Sequence, residues 1–378
     1  MAVINNPNKK RVILSICDIS PSKLGSFEEF LIKLSLELMN RNIQHIIVFR
    51  DYPICSVEKA LTDLGVGIKV MKPSKININN FIAYYKLIKE IDPDVVHFHF
   101  YPIYSIINYL KIFYNCKIIY TDHMGGRKAK SKVKKVLRRI YYQVNFLLFD
   151  KGIDKVICVS EFVKDKYLKD YGVNSNKLCV IYNGINMKKF SKKSDITFRK
   201  SYDVIDTYII TCVGLRRDKG PHYLLKAAPS ILEKFSNISF MFVGEGECKN
   251  YMEDLASQLG IKDKIIFTGK VPDLSEVYSI SSVVVIPSTF EEAFCFVAAE
   301  AMATECPVVA FDSGAIKEVL YDSSFIIDKN YNALALKIIE CISTPINAIE
   351  LRNHVLDNFE LNCKISEHVT LYTNLMSK

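Results

Sequence analysis

The chain has 378 residues, of which 49% are apolar and 24% charged, and a net charge of +9. That is long for one core and too apolar for a disordered polymer, and no run of about eighteen apolar residues offers a spanning helix. The charge is uneven: residues 1–200 carry 35 Lys and Arg against 17 Asp and Glu, and residues 201–378 carry 15 against 24. An anionic partner is therefore expected on the first half.

After Lys9-Lys10-Arg11, the run Val12 to Cys17 is too short for a signal-peptide core and suits a first buried strand. Val12–Ile16, Gln44–Phe49, Val95–Phe98, Lys117–Tyr120, Lys155–Val159 and Cys179–Tyr182 then read as strands rich in Val and Ile. Between the first two, Phe27, Phe30, Leu31, Leu34 and Leu38 line one face of a helix, and Ser26 with Glu29 forms the capping box that opens it. The second half repeats the scheme with strands at Tyr208–Val213, Ser239–Val243, Ile265–Phe267, Val283–Ile286, Pro307–Ala310 and Ser324–Ile327. Such alternation predicts an α/β fold of two doubly wound parallel sheets, with ligands at the carboxyl ends of the strands. None of the eleven cysteines lies within ten residues of another, and Cys17, Cys158 and Cys212 sit in apolar runs. Reduced thiols in a soluble, cytosolic protein are expected, with no structural zinc.

Three segments carry chemistry. After strand 208–213 come Gly214-Leu215-Arg216-Arg217-Asp218-Lys219-Gly220-Pro221 and a helix with Leu224, Leu225, Ala228 and Ile231. Gly220 suits the N-cap and Pro221 the first helical position, so cations and backbone N–H groups meet at one helix start. That suits a diphosphate; a solvated basic turn is the plainer alternative. Gly244-Glu245-Gly246 lacks the third glycine of a dinucleotide motif and is a weak signal. In the segment from Pro287 to Ala303, Glu292 and Glu300 would differ by about 80° and 12 Å if both were helical. They can meet one ligand only if Glu292 sits on the loop and Glu300 inside the helix that follows. Glu300 then lies among Val297, Ala298, Ala301 and Met302 with no evident partner.

With these segments in place the chain resembles the retaining glycosyltransferases of family 4 (glycosyl transferases group 1), which have the two-domain GT-B fold. The resemblance runs through Leu24-Gly25-Ser26, Asp94-Val95-Val96-His97-Phe98-His99, Thr121-Asp122-His123, Val159-Ser160-Glu161, Tyr182-Asn183-Gly184-Ile185, Arg216 with Lys219-Gly220, Glu292 with Glu300, and Asp312 to Val319. It implies two Rossmann-like domains facing across a cleft: an acceptor-binding domain at 1–187, a linker at 188–205, a nucleotide-sugar domain at 206–357, and a C-terminal helix at 358–378 returning toward the first domain. It implies Arg216 and Lys219 on the donor diphosphate, Glu300 on the ribose, Glu292 on the donor sugar, and Phe294, Cys295 and Phe296 lining the sugar and phosphate pocket. Gly25, Gly214 and Gly244 would approach the donor closely, backbone around Val271 would meet the nucleobase, and His123 would reach the sugar. The catalytic set is then Arg216, Lys219, Glu292 and His123. The implied activity is retaining transfer of a hexosyl or N-acetylhexosaminyl group without metal or other cofactor. A UDP-sugar is favoured as donor and GDP-mannose comes next; the acceptor would be a lipid-linked glycan or lipid in surface polysaccharide or lipopolysaccharide assembly.

The chain departs from the family pattern at Cys295 and Glu305, where glycine is usual, at Asn186, where Asp is common, and at Ser26, which takes the place of a second glycine. Asp92-Pro93-Asp94 spells a metal motif of another fold but precedes its strand, so a turn is expected. His97 is read as a core histidine, His99 as nearer the cleft, and His45 as structural or surface. Arg127, Lys128, Lys130, Lys132, Lys134, Lys135, Arg138 and Arg139 occur without an acid beside an apolar stripe of Val133, Val136, Leu137, Ile140, Val144, Leu147 and Leu148. They suit the acceptor and an anionic membrane at the inner face of the cell membrane, or merely a solvated helix. A nucleotide-sugar epimerase and a nucleic-acid-binding protein are the competing readings. The first lacks its acid/base residues and the second lacks aromatics interleaved with the basic run.

Overall fold

The structure, a computed structural model, describes residues 10–72, 77–103, 105–124, 150–171, 173–193, 196–344 and 346–377, together with 136, 137, 140, 141, 143–145 and 148. It divides into two compact units, 1–184 with 361–378, and 185–360.

The first unit is built on a seven-stranded sheet of β1 (Val12–Cys17), β2 (Gln44–Phe49), β3 (Gly67–Val70), β4 (Val95–His99), β5 (Lys117–Asp122), β6 (Lys155–Cys158) and β7 (Leu178–Val180), in the order β3-β2-β1-β4-β5-β6-β7. Every pairing is parallel. Its central strands are sealed on both faces, which is why they read as unbroken apolar runs. The last helix, Leu361–Met376, belongs to this unit: Leu361, Ile365, Val369 and Tyr372 pack with Ile13, Leu34, Val95 and Ile119. Helix Ser26–Asn40 begins one residue earlier than the capping box implied. Gly25 is the N-cap, and its N–H donates to the Glu28 carboxylate at 3.0 Å, so Glu28 fills the role read onto Glu29.

The second unit holds β8 (Tyr208–Val213), β9 (Ile238–Val243), β10 (Ile265–Gly269), β11 (Val283–Ile286), β12 (Val308–Phe311) and β13 (Ile326–Ile327) in the order β10-β9-β8-β11-β12-β13, again all parallel. Ile210, Phe240 and Val285 from the sheet pack with Leu224, Leu225 and Ile231 of helix Pro221–Leu232 and Leu334 of helix Tyr331–Ser343. Strand order reverses between β1 and β4 and between β8 and β11, so the loops leaving these strands are where a ligand of each sheet belongs.

The stretch 188–205 is not a free linker. It is part of the second unit: Phe190 is buried, Lys193 pairs with Asp273 at 2.7 Å, and Arg199 donates to the carbonyls of Val204, Thr207 and Ile280. Its lysines made it look like a linker, but Lys193 finds its partner eighty residues away at Asp273 and Lys192 lies 3.7 Å from Glu305. Among the described residues no helix is long and apolar enough to cross a membrane, no His/Cys/Asp/Glu group could hold a metal, and all eleven cysteines are free thiols.

Candidate active site

At the carboxyl end of β8 the chain turns through Gly214 to a short 3-10 turn, Arg217–Lys219, and enters helix Pro221–Leu232. Gly220 is the N-cap at φ +70°, and a Cβ there would lie 2.0 Å from the Pro287 carbonyl oxygen, so only glycine lets the two loops touch. Arg216 is exposed and pairs with Asp218 through two hydrogen bonds of 3.1 and 3.2 Å. Arg217 donates its backbone N–H to Glu247 at 2.9 Å and lines a separate hollow of about 430 Å³ with His222, Lys226 and Tyr251. Lys219 reaches the other way, and its ammonium meets Glu292 Oε1 at 2.6 Å. Burial pulls the Lys219 ammonium down, but the Glu292 carboxylate, the Cys295 thiol and the hydrogen bond outweigh it, and the net shift is upward.

The loop leaving β11 is tied to the first loop. The Asp218 carbonyl accepts from Thr289 N–H at 2.9 Å and Thr289 Oγ1 at 3.1 Å, and Ser313 Oγ donates to the Ser288 carbonyl at 2.6 Å. Glu292 is 7% exposed, and its own carbonyl accepts from Ala315 N–H at 2.8 Å. Gly314, at φ +67°, permits this: a Cβ would fall 2.3 Å from the Glu292 oxygen. Glu292 therefore sits on the loop and Glu300 inside helix Phe296–Ala303, the one arrangement in which both could meet a single ligand. Glu300 is not alone in its apolar stretch. Tyr278, from helix Leu274–Ile280, donates to Glu300 Oε2 at 3.2 Å, and burial, followed by the Glu300 charge, pushes the Tyr278 hydroxyl well up.

Cys295, where glycine was expected, is the N-cap of that helix at φ +83°, and Glu305 lies at φ +65°. The glycine backbone is thus kept with side chains attached. Burial, then the Glu292 charge, pushes the Cys295 thiol up to about 12, so it stays protonated. Phe294 packs edge to face on Phe296 and Phe359. Gly244 N–H donates to the Gly269 carbonyl at 2.8 Å, and Val271 packs against the core beneath β8 and β9.

In the first unit, Gly25 ends the loop after β1, and His123 follows β5. The His123 ring stacks on Phe100 at 4.4 Å between centroids and takes the edge of Phe27. Burial, with His368 next, lowers its pKa to about 3. His99 does not line an open crevice as expected: it is fully buried, with Nδ1 3.1 Å from His123 Nε2. His97 is a core histidine between Tyr372 Oη at 2.6 Å and Thr121 Oγ1 at 2.7 Å. His45 is structural, held by Ser15 and Ser35 at 2.8 Å each. Asp94 follows the end of helix Asn77–Ile91 and accepts the Val12 N–H at 2.7 Å, a tie to the start of β1 and not the closure of a turn. Arg127, Lys128, Lys130, Lys132, Lys134, Lys135, Arg138 and Arg139 lie outside the described residues. Asp218 and Tyr278 were missed. Asp218 stands two residues from Arg216 and could have been found; nothing local marks Tyr278, 22 residues before Glu300.

The pattern described as Glycosyltransferase Family 4 matches residues 28–189, and the one described as Glycosyl transferases group 1 matches residues 192–358. An uncharacterized glycosyltransferase of Methanocaldococcus jannaschii is 40% identical over 174 residues, 44% of each chain, so the match spans under half of that relative. The UDP-Gal:alpha-D-GlcNAc-diphosphoundecaprenol alpha-1,3-galactosyltransferase of Escherichia coli is 24% identical over 79% of this chain and 80% of its own. Among solved structures, Anabaena HepE in complex with UDP superimposes with a TM-score of 0.78 at 17% identity, covering 96% of this chain and 100% of its own. With two parallel-sheet units and a family match on each, the chain belongs to the family 4 (group 1) glycosyltransferases of GT-B fold.

Proposed function

We propose that this glycosyltransferase moves a hexosyl or N-acetylhexosaminyl group from a UDP-sugar, with GDP-mannose the next donor, onto a lipid-linked glycan or lipid, with retention at the anomeric carbon and without metal. The observation that carries the reading is the Lys219–Glu292 pair at 2.6 Å, beside Arg216 and the start of a twelve-residue helix. A diphosphate arriving there meets two cations and a helix N-terminus, and Glu292 is placed to pass from Lys219 to a hydroxyl of the sugar. In the reaction the bond from the anomeric carbon to the diphosphate oxygen breaks, and that oxygen keeps the electron pair. Arg216 and Lys219 stabilise the growing charge. The acceptor oxygen bonds the same face of the carbon, and its proton passes to the departing diphosphate. No described carboxylate is assigned as a nucleophile, so a front-face course is favoured. Glu300 accepts from the ribose hydroxyls while Tyr278 holds its other side.

UDP in the HepE structure and the diphosphoundecaprenol acceptor of the E. coli relative support the donor and acceptor classes. An acceptor of that kind lies at a membrane surface, and the described part of the stripe supports docking there. Val136, Leu137, Ile140, Val144 and Leu148 are each about half exposed, where packing on the sheet would bury them. The test is transfer from a panel of UDP- and GDP-sugars to a polyprenyl-diphosphate glycan, with the product anomer read by NMR and EDTA as a control. Inversion of the anomer, or loss of activity with EDTA and recovery with manganese, overturns the mechanism.

A further inference from the structure

Histidine 99 is absent from the reaction just described, yet it is fully buried and faces His123. It ends β4, is fully buried, and lies between the edges of Phe27 and Phe30 and the face of His97, 3.9 Å away between centroids. Its Nδ1 is 3.1 Å from His123 Nε2, and its own Nε2 is sealed from solvent without a partner among the described residues. Burial, and after it the neighbouring histidines, holds His99 neutral, and His123 is neutral as well. Two neutral imidazoles facing each other share one proton. One ring must donate and the other accept.

The sealed Nε2 decides which. Were His123 the donor, His99 would accept at Nδ1 and carry its proton at Nε2, leaving an N–H buried with nothing to receive it. Orphaned N–H groups are the rarest kind of unsatisfied polar atom, rarer than a bare acceptor. With His99 the donor, its proton lies between the rings, and the sealed atom is only a lone pair. His123 then accepts at Nε2 and must carry its proton at Nδ1. That atom has no protein partner among the described residues and is not among the sealed ones.

We propose that His99 is a positioning residue: its Nδ1–H donates to His123 Nε2 and fixes His123 as the Nδ1–H tautomer, which turns an N–H donor outward from the carboxyl edge of the sheet. The sugar as recipient of that donor rests on the proposed function; the proton assignment does not. A neutral donor there can bond a sugar hydroxyl oxygen without bringing a positive charge to it. The stacked Phe100 and the edge of Phe27 fix the ring plane, and His99 fixes the proton within it.

Long-range proton–nitrogen NMR of the full chain, labelled with ¹⁵N-histidine at about pH 7.5, tests this, because at that pH a neutral ring shows which nitrogen bears the proton. The His123 pattern is assigned by its loss in His123→Gln. It should be Nδ1–H in the wild type, should gain Nε2–H population in His99→Leu, where the donor that favours Nδ1–H is gone, and should return in His99→Asn, whose amide nitrogen occupies the place of Nδ1. Transfer, as kcat/KM, should fall about tenfold in His99→Leu, the loss of roughly one hydrogen bond, while UDP affinity holds and His99→Asn recovers most of the rate. A wild-type His123 protonated at Nε2 overturns the proposal, as does a tautomer unmoved by His99→Leu. If His99→Leu does not fold, the wild-type and His99→Asn spectra still decide. An Nδ1–H tautomer in a chain that transfers no sugar leaves the assignment standing and defeats the functional reading instead.

Discussion

Four histidines of the first unit, His45, His97, His99 and His368, are buried and His123 is half-buried, and this gives the fold an acid limit. Burial lowers His45 and His123 to about 3 and His368 to about 4, and holds His97 and His99 well below the usual 6.5. Below pH 6.5 the unfolded chain binds protons that the native core refuses, so the stability these groups contribute is present above that pH and is lost as pH falls toward their folded values. Between about pH 7.5 and 5.5 each proton that the core refuses costs on the order of 1 kcal/mol, and the four buried histidines together roughly 5 kcal/mol. That is comparable to the whole stability of an ordinary domain, about 5–15 kcal/mol. The first unit should therefore lose much of its stability by about pH 5.5, while the second, which buries no histidine, should lose far less. The chain has no tryptophan, so hydrogen exchange read by mass spectrometry is the suitable assay, because its peptides separate the two units. Protection in β1, β4 and β5 should collapse over that range while β8 and β11 stay protected. Equal protection of the first unit at both pH values would show that the histidines reach solvent or proton partners, and would remove the neutral pair from His99 and His123.

Further expectations concern the second unit and the surface. Breaking the Lys219–Glu292 pair from either side, by Lys219→Met or Glu292→Gln, should cost about 2–3 kcal/mol of stability, with the double variant costing clearly less than the sum; additive losses in thermal unfolding would mean the pair is not coupled. Glu292→Gln should also bind nucleoside diphosphate at least as tightly as wild type while transferring poorly, which calorimetry and a transfer assay separate. Glu300→Gln should weaken that binding by about tenfold and Tyr278→Phe by less, since only the first removes the ribose acceptor. Replacing Lys130, Lys132, Lys134 and Lys135 by Gln should reduce co-sedimentation with anionic vesicles by orders of magnitude, at about 1 kcal/mol per cation, and leave UDP affinity unchanged. Equal sedimentation with neutral vesicles would favour a soluble acceptor.

The sequence disclosed what depends on burial and concealed what depends on distant pairing. Buried parallel strands declare themselves as apolar runs, so β2, β8 and β11 fall where Gln44–Phe49, Tyr208–Val213 and Val283–Ile286 placed them. The edge strand β3 is half-buried, with Lys69 in its middle, and gives no such run. Glu28 and Glu29 are both plausible cap acids one residue apart, and only the backbone of Gly25 chooses between them. Lys219 with Glu292, and Tyr278 with Glu300, meet across 73 and 22 residues, where no local pattern connects them.

Cys295 and Glu305 show the opposite case, in which an absent residue was the informative one. The family pattern has glycine at both places, and the chain bends at both, at φ +83° and +65°, with a side chain present. The bend at Glu305 is set by the helix end: its N–H donates to the Met302 carbonyl at 2.9 Å, and the next N–H, of Cys306, donates to the Ala301 carbonyl at 3.0 Å, which closes the helix with a left-handed residue. A non-glycine residue in that conformation costs about 1–2 kcal/mol, and glycine returns about 0.5–1 kcal/mol of that as unfolded-chain entropy. The contact from Lys192 at 3.7 Å is half exposed and offsets little. Glu305→Gly should thus stabilise the second unit by about 0.5–1 kcal/mol, a rise of roughly 1–4 °C in its melting temperature. Cys295→Gly relieves the same strain but empties a buried site beside Glu292, so its stability gain should be smaller and its effect should appear in which sugar is transferred. If Glu305→Gly lowered the melting temperature, the left-handed bend would not be the strained feature, and the argument from the missing glycine would fail at both positions.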